Sequence, residues 1–307
     1  MTAEISGYWT FFCNPATWEI DRFLLSNQDV DTYQVSLWYK DHIKPGQLGV
    51  IRVGVDNRTK RQLQGRTKLS SGIYAIVQIL EVPKSSADVS PFYVNNEDQS
   101  KEKLRVKIHY VKNLLKAPLL LKDLKYNAAV VSDNYLIKGF QSSTMPLRKE
   151  AFDEIIYLLN DSDDIFNNIE IESIDEIEDI SKLLLKYEYA SPQVKEVISR
   201  RIERGTISSA IKKIYEYKCK VCEALQQNPL SFKKTNGEHY IETHHIIHVS
   251  KLTEGSLGIS NLITVCANHH RQFHFGNIEI LENVKEKLTI KIDGQETTIE
   301  KKKFSFT

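Results

Sequence analysis

Apolar and polar positions fall into short, distinct blocks along the chain. "LGVIRVGV" (48–55) and "GIYAIVQILEV" (72–82) are dense in β-branched residues and run into polar or proline-containing stretches, which predicts two strands. "LRVKIHYV" (104–111) alternates apolar and polar residues, as a half-buried strand does. "PLRKEAFDEIIYLLN" (146–160) has Pro146 near its start and apolar residues at helical spacing, which predicts a closing helix. The polar stretch 84–102 is long enough to be a functional loop. Composition then turns acidic over 161–195, which reads as a connector with Pro192 near its end. "VKEVISRRIERGTISSAIKKIYEY" (194–217) returns to helical patterning. "KLTIKIDGQETTIEKKKF" (287–304) forms two alternating runs around Asp293-Gly294, a hairpin signal. The expected organisation is α+β, with a domain over 1–160, an acidic linker over 161–195 and a second domain over 196–307.

Composition adds little to this picture. The 307 residues, 41% hydrophobic and 26% charged, are those of an ordinary globular protein with room for two domains. No run of about 18 apolar residues occurs, and the start is not a basic-then-apolar leader, so neither a membrane span nor a signal peptide is expected. A cytoplasmic location is the expectation. Charge is more informative: the net +1 resolves into +4 over 1–160, −7 over 161–200 and +4 over 201–307. Two basic blocks flanking an acidic one are compatible with a polyanionic partner. Arg200, Arg201 and Arg204 either meet a phosphate backbone or lie on a solvated helix face.

The chemistry concentrates in the last third. Three of the four cysteines lie there, as Cys219-x-x-Cys222 and Cys266-x-x-His269. Two such pairs are the knuckles from which closed tetrahedral zinc sites are built, and Cys3His leaves no open position for substrate. A structural Zn2+ on Cys219, Cys222, Cys266 and His269 is therefore expected. His270 and His274, four residues apart, share one face of a helix that starts near Ala267 and ends at Gly276. "ETHHIIHVS" adds His244, His245 and His248 on a strand-like segment. His248 is either a fourth metal-site group or structural. Arg271 either holds a phosphate oxygen or sits on the helix surface. The adjacent His269 and His270 also admit the swapped assignment, although the C-x-x-H spacing favours His269 for zinc.

"ETHHI", "SNLITVC" and "HHRQFH" together resemble the HNH nuclease family, the ββα-metal fold, over roughly residues 200–277. That resemblance implies a catalytic divalent ion (Mg2+, Mn2+, or Ni2+ or Co2+) on His244, His270 and His274, with His245 as general base. It implies that Asn261 fixes the His245 ring through its side-chain amide or the local backbone. It further implies hydrolysis of phosphodiester bonds to 5′-phosphate and 3′-hydroxyl ends.

The beginning, "GYWTFFCNPATWEIDRFL", with "DTYQVSLWYKDHIKPGQLGVIRVG", "SGIYAIVQILEVP" and "GFQSSTMPLRKEAFDEI", resembles an EVE domain, a PUA-like β-barrel with helices. The resemblance implies an aromatic pocket for a modified base taken from the duplex. Its expected walls are Tyr33 and Trp38, with Trp18, Phe12 and Phe92 behind them, and Asn14 at the base edge. Cys13-Asn14-Pro15 stands where many members carry Ser-Glu-Pro, a departure that bears on which base is preferred.

Joined, the two halves are similar to the modification-dependent restriction endonucleases of bacteria. The implied partner is double-stranded DNA carrying 5-methylcytosine or 5-hydroxymethylcytosine, with the target base flipped. Two copies are needed to cut both strands, so a homodimer is expected. A nuclease acting on modified RNA and a non-catalytic DNA reader are the alternatives.

Overall fold

The structure, a computed structural model, describes residues 5–88, 90–95, 101–139, 142–160, 162–172, 182–183, 185–247 and 258–302. It is mixed α+β and separates into two units, Met1–Glu170 with Tyr189–Val194, and Ile171–Glu188 with Lys195–Thr307. Within the acidic stretch, Ser162–Asn167 is helical, whereas 173–181 lie outside the described residues.

The first unit is built on eight strands: β1 (Tyr8–Cys13), β2 (Val30–Gln34), β3 (Leu48–Val53), β4 (Gly72–Ile79), β5 (Lys84–Ser86), β6 (Lys103–Asn113), β7 (Leu119–Leu120) and β8 (Thr144–Pro146). Their order is β2-β6-β4-β3-β1-β8, with β5 added to β6 and β7 to β4. β1 and β3 run parallel, and the other pairs are antiparallel. All eight residues of β4 are buried, because the strand is covered on both faces; that is why it reads as an unbroken apolar run. Trp9 and Phe11 join a core with Ile51, Val77, Ile79 and Val106. On the opposite face of β1, Tyr8 stacks on Phe152 at 4.4 Å, docking the helix Lys149–Leu158. Each such buried side chain contributes roughly 1.5–3 kcal/mol. Gly49 permits the close approach of β1 and β3, since a Cβ there would stand 2.6 Å from the Trp9 carbonyl oxygen and 2.9 Å from the Phe11 ring.

A buried ion network secures the segment that follows Trp18. Arg58, fully buried, pairs with Asp56 at 2.7 Å and Asp21 at 2.9 Å, and Arg66 reaches Asp21 at 2.9 Å and Glu19. Loss of one partner would strand a buried charge, at a cost of about 3–5 kcal/mol.

In the second unit, β9 (Glu242–His245) and β10 (Leu262–Val265) form an antiparallel pair, with Leu262 opposite His245 and Ile263 opposite His244. The helix Ala267–Phe275 follows. β11 (Ile278–Asn283), β12 (Lys287–Ile292) and β13 (Gln295–Glu300) make a separate antiparallel sheet. The hairpin at 293–294 forms as expected: Asp293 and Gly294 both have positive φ, 48° and 89°, the conformation a two-residue turn of this twist requires. Leu288, Ile290, Ile292 and Ile299 share a core with Cys219, Val221, Cys222, Ile241, Ile263 and Val265.

Candidate functional site

Cys219 caps the short helix Lys220–Ala224, and its Sγ accepts the Cys222 N–H at 3.4 Å. Cys266 stands at the N-terminus of the helix Ala267–Phe275, with His269 one turn inside it. Local geometry thus turns each x-x pair towards the other. His269 Nδ1 lies 3.4 Å from each of the Cys219, Cys222 and Cys266 sulfurs, and Cys222 Sγ is 4.0 Å from Cys266 Sγ. Zinc bonds of about 2.3 Å to sulfur and 2.0–2.1 Å to nitrogen, at tetrahedral angles, require edges of roughly 3.5–3.8 Å, so this donor set fits the ion. The contact with Cys219, together with the neighbouring His269, holds the Cys266 thiol below its ordinary value while Cys219 is pushed up, so Cys266 is the first of the pair to offer the thiolate that a metal needs.

His244 and His245 are consecutive on β9, and a strand sends successive side chains to opposite sides. The His244 ring packs edge-on to His270 at 4.8 Å and His274 at 5.0 Å. His270 Nε2 and His274 Nε2 are 3.3 Å apart, and donor atoms of all three rings converge within 4.8 Å. Three imidazoles at this spacing suit one divalent ion with open positions. His269 faces the sulfurs and His270 faces this second cluster. The His270 Nδ1 is held by the Glu242 carboxylate, which fixes the ring with Nε2 turned to the cluster.

His245 turns to the helix Pro192–Arg204. Its Nδ1 lies 2.7 Å from Glu203 Oε1 and 2.9 Å from Ser199 Oγ. Nε2 is buried and has no hydrogen-bond partner among the described residues. Burial raises the Glu203 pKa, but the hydrogen bond and charge of His245 outweigh it and leave the carboxyl below its ordinary value. Asn261 acts on the main chain that follows His245. Its Oδ1 accepts the Ile247 N–H at 2.9 Å and its Nδ2 donates to the Ile247 carbonyl at 3.0 Å. Asn283 and Lys301 extend this network, with Asn283 Nδ2 donating to Asn261 Oδ1 at 3.1 Å and Lys301 reaching Asn283.

Both histidine faces open on one cavity of about 710 Å³. Glu196, Ser199, Arg200, Glu203 and Arg204 line it from one helix face, at i, i+3, i+4, i+7 and i+8. Lys212 and Arg271 add to the basic wall. Arg201 is turned away and donates to the Ile171 carbonyl at 3.3 Å. His248 lies outside the described residues.

The first unit holds a smaller cavity of about 160 Å³. Phe12, Asn14, Trp18 and Tyr33 line it. Asn14 shapes its turn, with Oδ1 accepting the Ala16 N–H at 3.0 Å and its carbonyl taking the Thr17 and Trp18 N–H groups. Phe92 stands behind the wall, edge-on to Trp18 at 6.0 Å and to Phe23 at 5.5 Å. Trp38 is not part of the pocket: it is 89% exposed on a 3-10 turn, Leu37–Tyr39. The strand alternation of β2 ends at Gln34, and Tyr39 instead packs inward on Trp9 at 5.8 Å. Sequence reasoning missed a polar wall, in which Arg105 pairs with Asp88 at 2.8 Å and donates to the Tyr93 hydroxyl at 2.6 Å.

It also missed Glu203, Ser199 and Glu242. Glu242 carried a usable signal, since it lies two residues before His244 on the same strand face. Glu203 and Ser199 did not, being more than 40 residues from His245 in a helix whose charges look solvated.

The EVE domain family matches residues 7–158, and the HNH endonuclease family matches residues 230–276. Among solved structures the chain is similar to a Pseudomonas putida protein, at 18% identity over 49% of this chain and 98% of that one, with a TM-score of 0.33. It is similar to the DUF55 domain of human thymocyte nuclear protein 1, at 17% identity over 49% and 97%, with a TM-score of 0.32. Human THYN1 protein in complex with 5-methylcytosine containing DNA is similar at 16% identity over 49% and 96%, with a TM-score of 0.32. No curated protein matches the chain. The chain therefore carries an EVE domain of PUA-like fold followed by an HNH endonuclease domain.

Proposed function

We propose that the chain is a modification-dependent DNA endonuclease, which binds 5-methylcytosine or 5-hydroxymethylcytosine and hydrolyses nearby phosphodiester bonds to restrict invading DNA in a bacterial cytoplasm. The observation that carries this reading is one cavity lined by His245 together with the His244, His270 and His274 cluster, and walled by Arg200, Arg204 and Arg271. His245 Nε2 takes a proton from the attacking water as its oxygen bonds to phosphorus. The P–O3′ bond breaks, and its electron pair leaves on the 3′ oxygen, which takes a proton from solvent water, giving 5′-phosphate and 3′-hydroxyl ends. His244, His270 and His274 would hold a divalent ion, which would supply Lewis acidity to the reaction. Three neutral imidazoles suit softer ions such as Ni2+ or Co2+ better than Mg2+, and the candidate ions remain Mg2+, Mn2+, Ni2+ and Co2+. Cys219, Cys222, Cys266 and His269 would hold a zinc ion whose role would be structural.

The smaller cavity supports the specificity. Drug-sized pockets run to about 300–1,000 Å³, so about 160 Å³ suits a single base rather than a larger ligand. Stacking on Trp18, Tyr33 or Phe12 returns the roughly 1–3 kcal/mol lost when a base leaves the duplex. Asp88 offers an acceptor for an exocyclic amine and Arg105 donors for ring nitrogen and carbonyl, the complement of a cytosine edge. One centre cuts one strand, so two copies act in a double-strand break.

The test is end chemistry. The full chain with Mn2+ or Mg2+ should leave ligatable 5′-phosphate ends on 5-methylcytosine DNA, and His245→Ala should abolish cutting. Cutting of modified RNA but not DNA would replace the substrate; no cutting with any of the four ions would leave a reader alone.

A further inference from the structure

The HNH match spans residues 230–276, yet the groups that hold the His245 ring come from the helix Pro192–Arg204, outside it. Glu203 Oε1 meets His245 twice, at 2.7 Å from ring Nδ1 and 3.2 Å from the backbone N. We propose that Glu203 is the positioning residue of the general base, holding His245 in the tautomer that carries its lone pair on Nε2. The proposal rests on the functional reading above and adds a residue to it.

An ionised carboxylate only accepts hydrogen bonds, so a ring nitrogen 2.7 Å from it carries the proton. With the proton on Nδ1, the basic lone pair is on Nε2, the atom with no partner among the described residues. Because one oxygen receives both the ring and the backbone N–H, the side-chain torsions of His245 are tied to its own main chain. Glu203 is half-buried and His245 nearly wholly so, which shields their contact from water. Ser199, one turn before Glu203 on the same helix, lies 2.9 Å from the same Nδ1. Asn261 has a separate task. Its two bonds to Ile247 set the main chain just after the base.

The experiment uses the full chain with Glu203→Gln and Glu203→Ala. Cleavage gives kcat and KM, and 15N spectra of labelled histidine give the His245 tautomer in the absence of catalytic metal. Glu203→Gln preserves volume and an accepting oxygen but removes charge, so it separates positioning from folding. We expect kcat to fall by between about 10- and 10⁴-fold with KM for DNA unchanged, the upper figure being the loss when the carboxylate behind a triad histidine becomes an amide. The Nδ1–H tautomer, dominant in wild type, should give way to a mixture in Glu203→Ala. Wild-type kcat and tautomer in both variants would overturn the proposal. A wild-type chain that cuts nothing but shows the Glu203-dependent tautomer would instead sink the nuclease reading.

Discussion

Asn261 holds Ile247 from both sides, accepting its N–H at 2.9 Å and donating to its carbonyl at 3.0 Å. The side-chain amide thereby replaces a rung of β-ladder where β9 ends, and the chain leaves His245 in one direction only. Asn261→Ala removes both bonds and leaves buried main-chain groups unpaired, so we expect a loss of about 2–4 kcal/mol in the second unit and of most cleavage. Asn261→Asp keeps the acceptor and loses the donor, and should fall between. Urea titration followed by far-UV circular dichroism measures both.

The zinc site gives a prediction confined to one unit. All three tryptophans lie in the first unit, so their fluorescence reports that unit and circular dichroism reports both. Removal of zinc, or Cys219→Ser, should melt the second unit while leaving the tryptophan-detected transition in place. Structural zinc sites are worth about 10–16 kcal/mol. Elemental analysis should return one zinc per chain, and a fully folded, zinc-free second unit would contradict the assignment.

How much of this was legible in the sequence depends on how local each signal is. The C-x-x-C, C-x-x-H and i,i+4 histidine spacings are set by single turns of chain, so the two clusters were readable to the residue. β4 and the 293–294 hairpin were readable because burial on both faces and a two-residue turn leave direct marks in composition. Glu203 was not, because a carboxylate that folds onto a histidine 42 residues away looks like any other charge on an amphipathic helix. Trp38 was misplaced for a related reason: a family resemblance carries no warning that a 3-10 turn will present Tyr39 inward and Trp38 outward.

That difference between Trp38 and the pocket aromatics can be measured. Tyr33→Ala should weaken binding to a modified duplex by about 1–3 kcal/mol, the worth of one stacked base. Trp38→Ala should change the stability of the first unit by no more than about 0.5 kcal/mol, as surface substitutions do. Trp18→Ala, by contrast, removes a buried ring beside Phe23 and Phe92 and should cost about 3–5 kcal/mol.

Asp31, on the same strand as Tyr33, sets a pH dependence. Its Oδ2 is buried without a hydrogen-bond partner among the described residues, and burial pushes its carboxyl up to about 7. The unfolded value is about 3.9, so the folded chain binds the proton more tightly. Stability of the first unit should therefore fall as pH rises from about 4 to about 7, and stay low above that. Asp31→Asn should remove this slope and stabilise the unit by about 1–4 kcal/mol at pH 8, with little effect at pH 4. Tryptophan-detected urea unfolding at the two pH values tests it.

The central claim joins a modified-base pocket to a hydrolytic centre, and one comparison addresses both. A single plasmid is prepared unmodified, 5-methylated and 5-hydroxymethylated at cytosine, then incubated with the full chain and Mn2+ or Mg2+. The account predicts cutting of the modified plasmids alone, lost in His245→Ala and strongly reduced in Tyr33→Ala. Equal cutting of all three plasmids would contradict it.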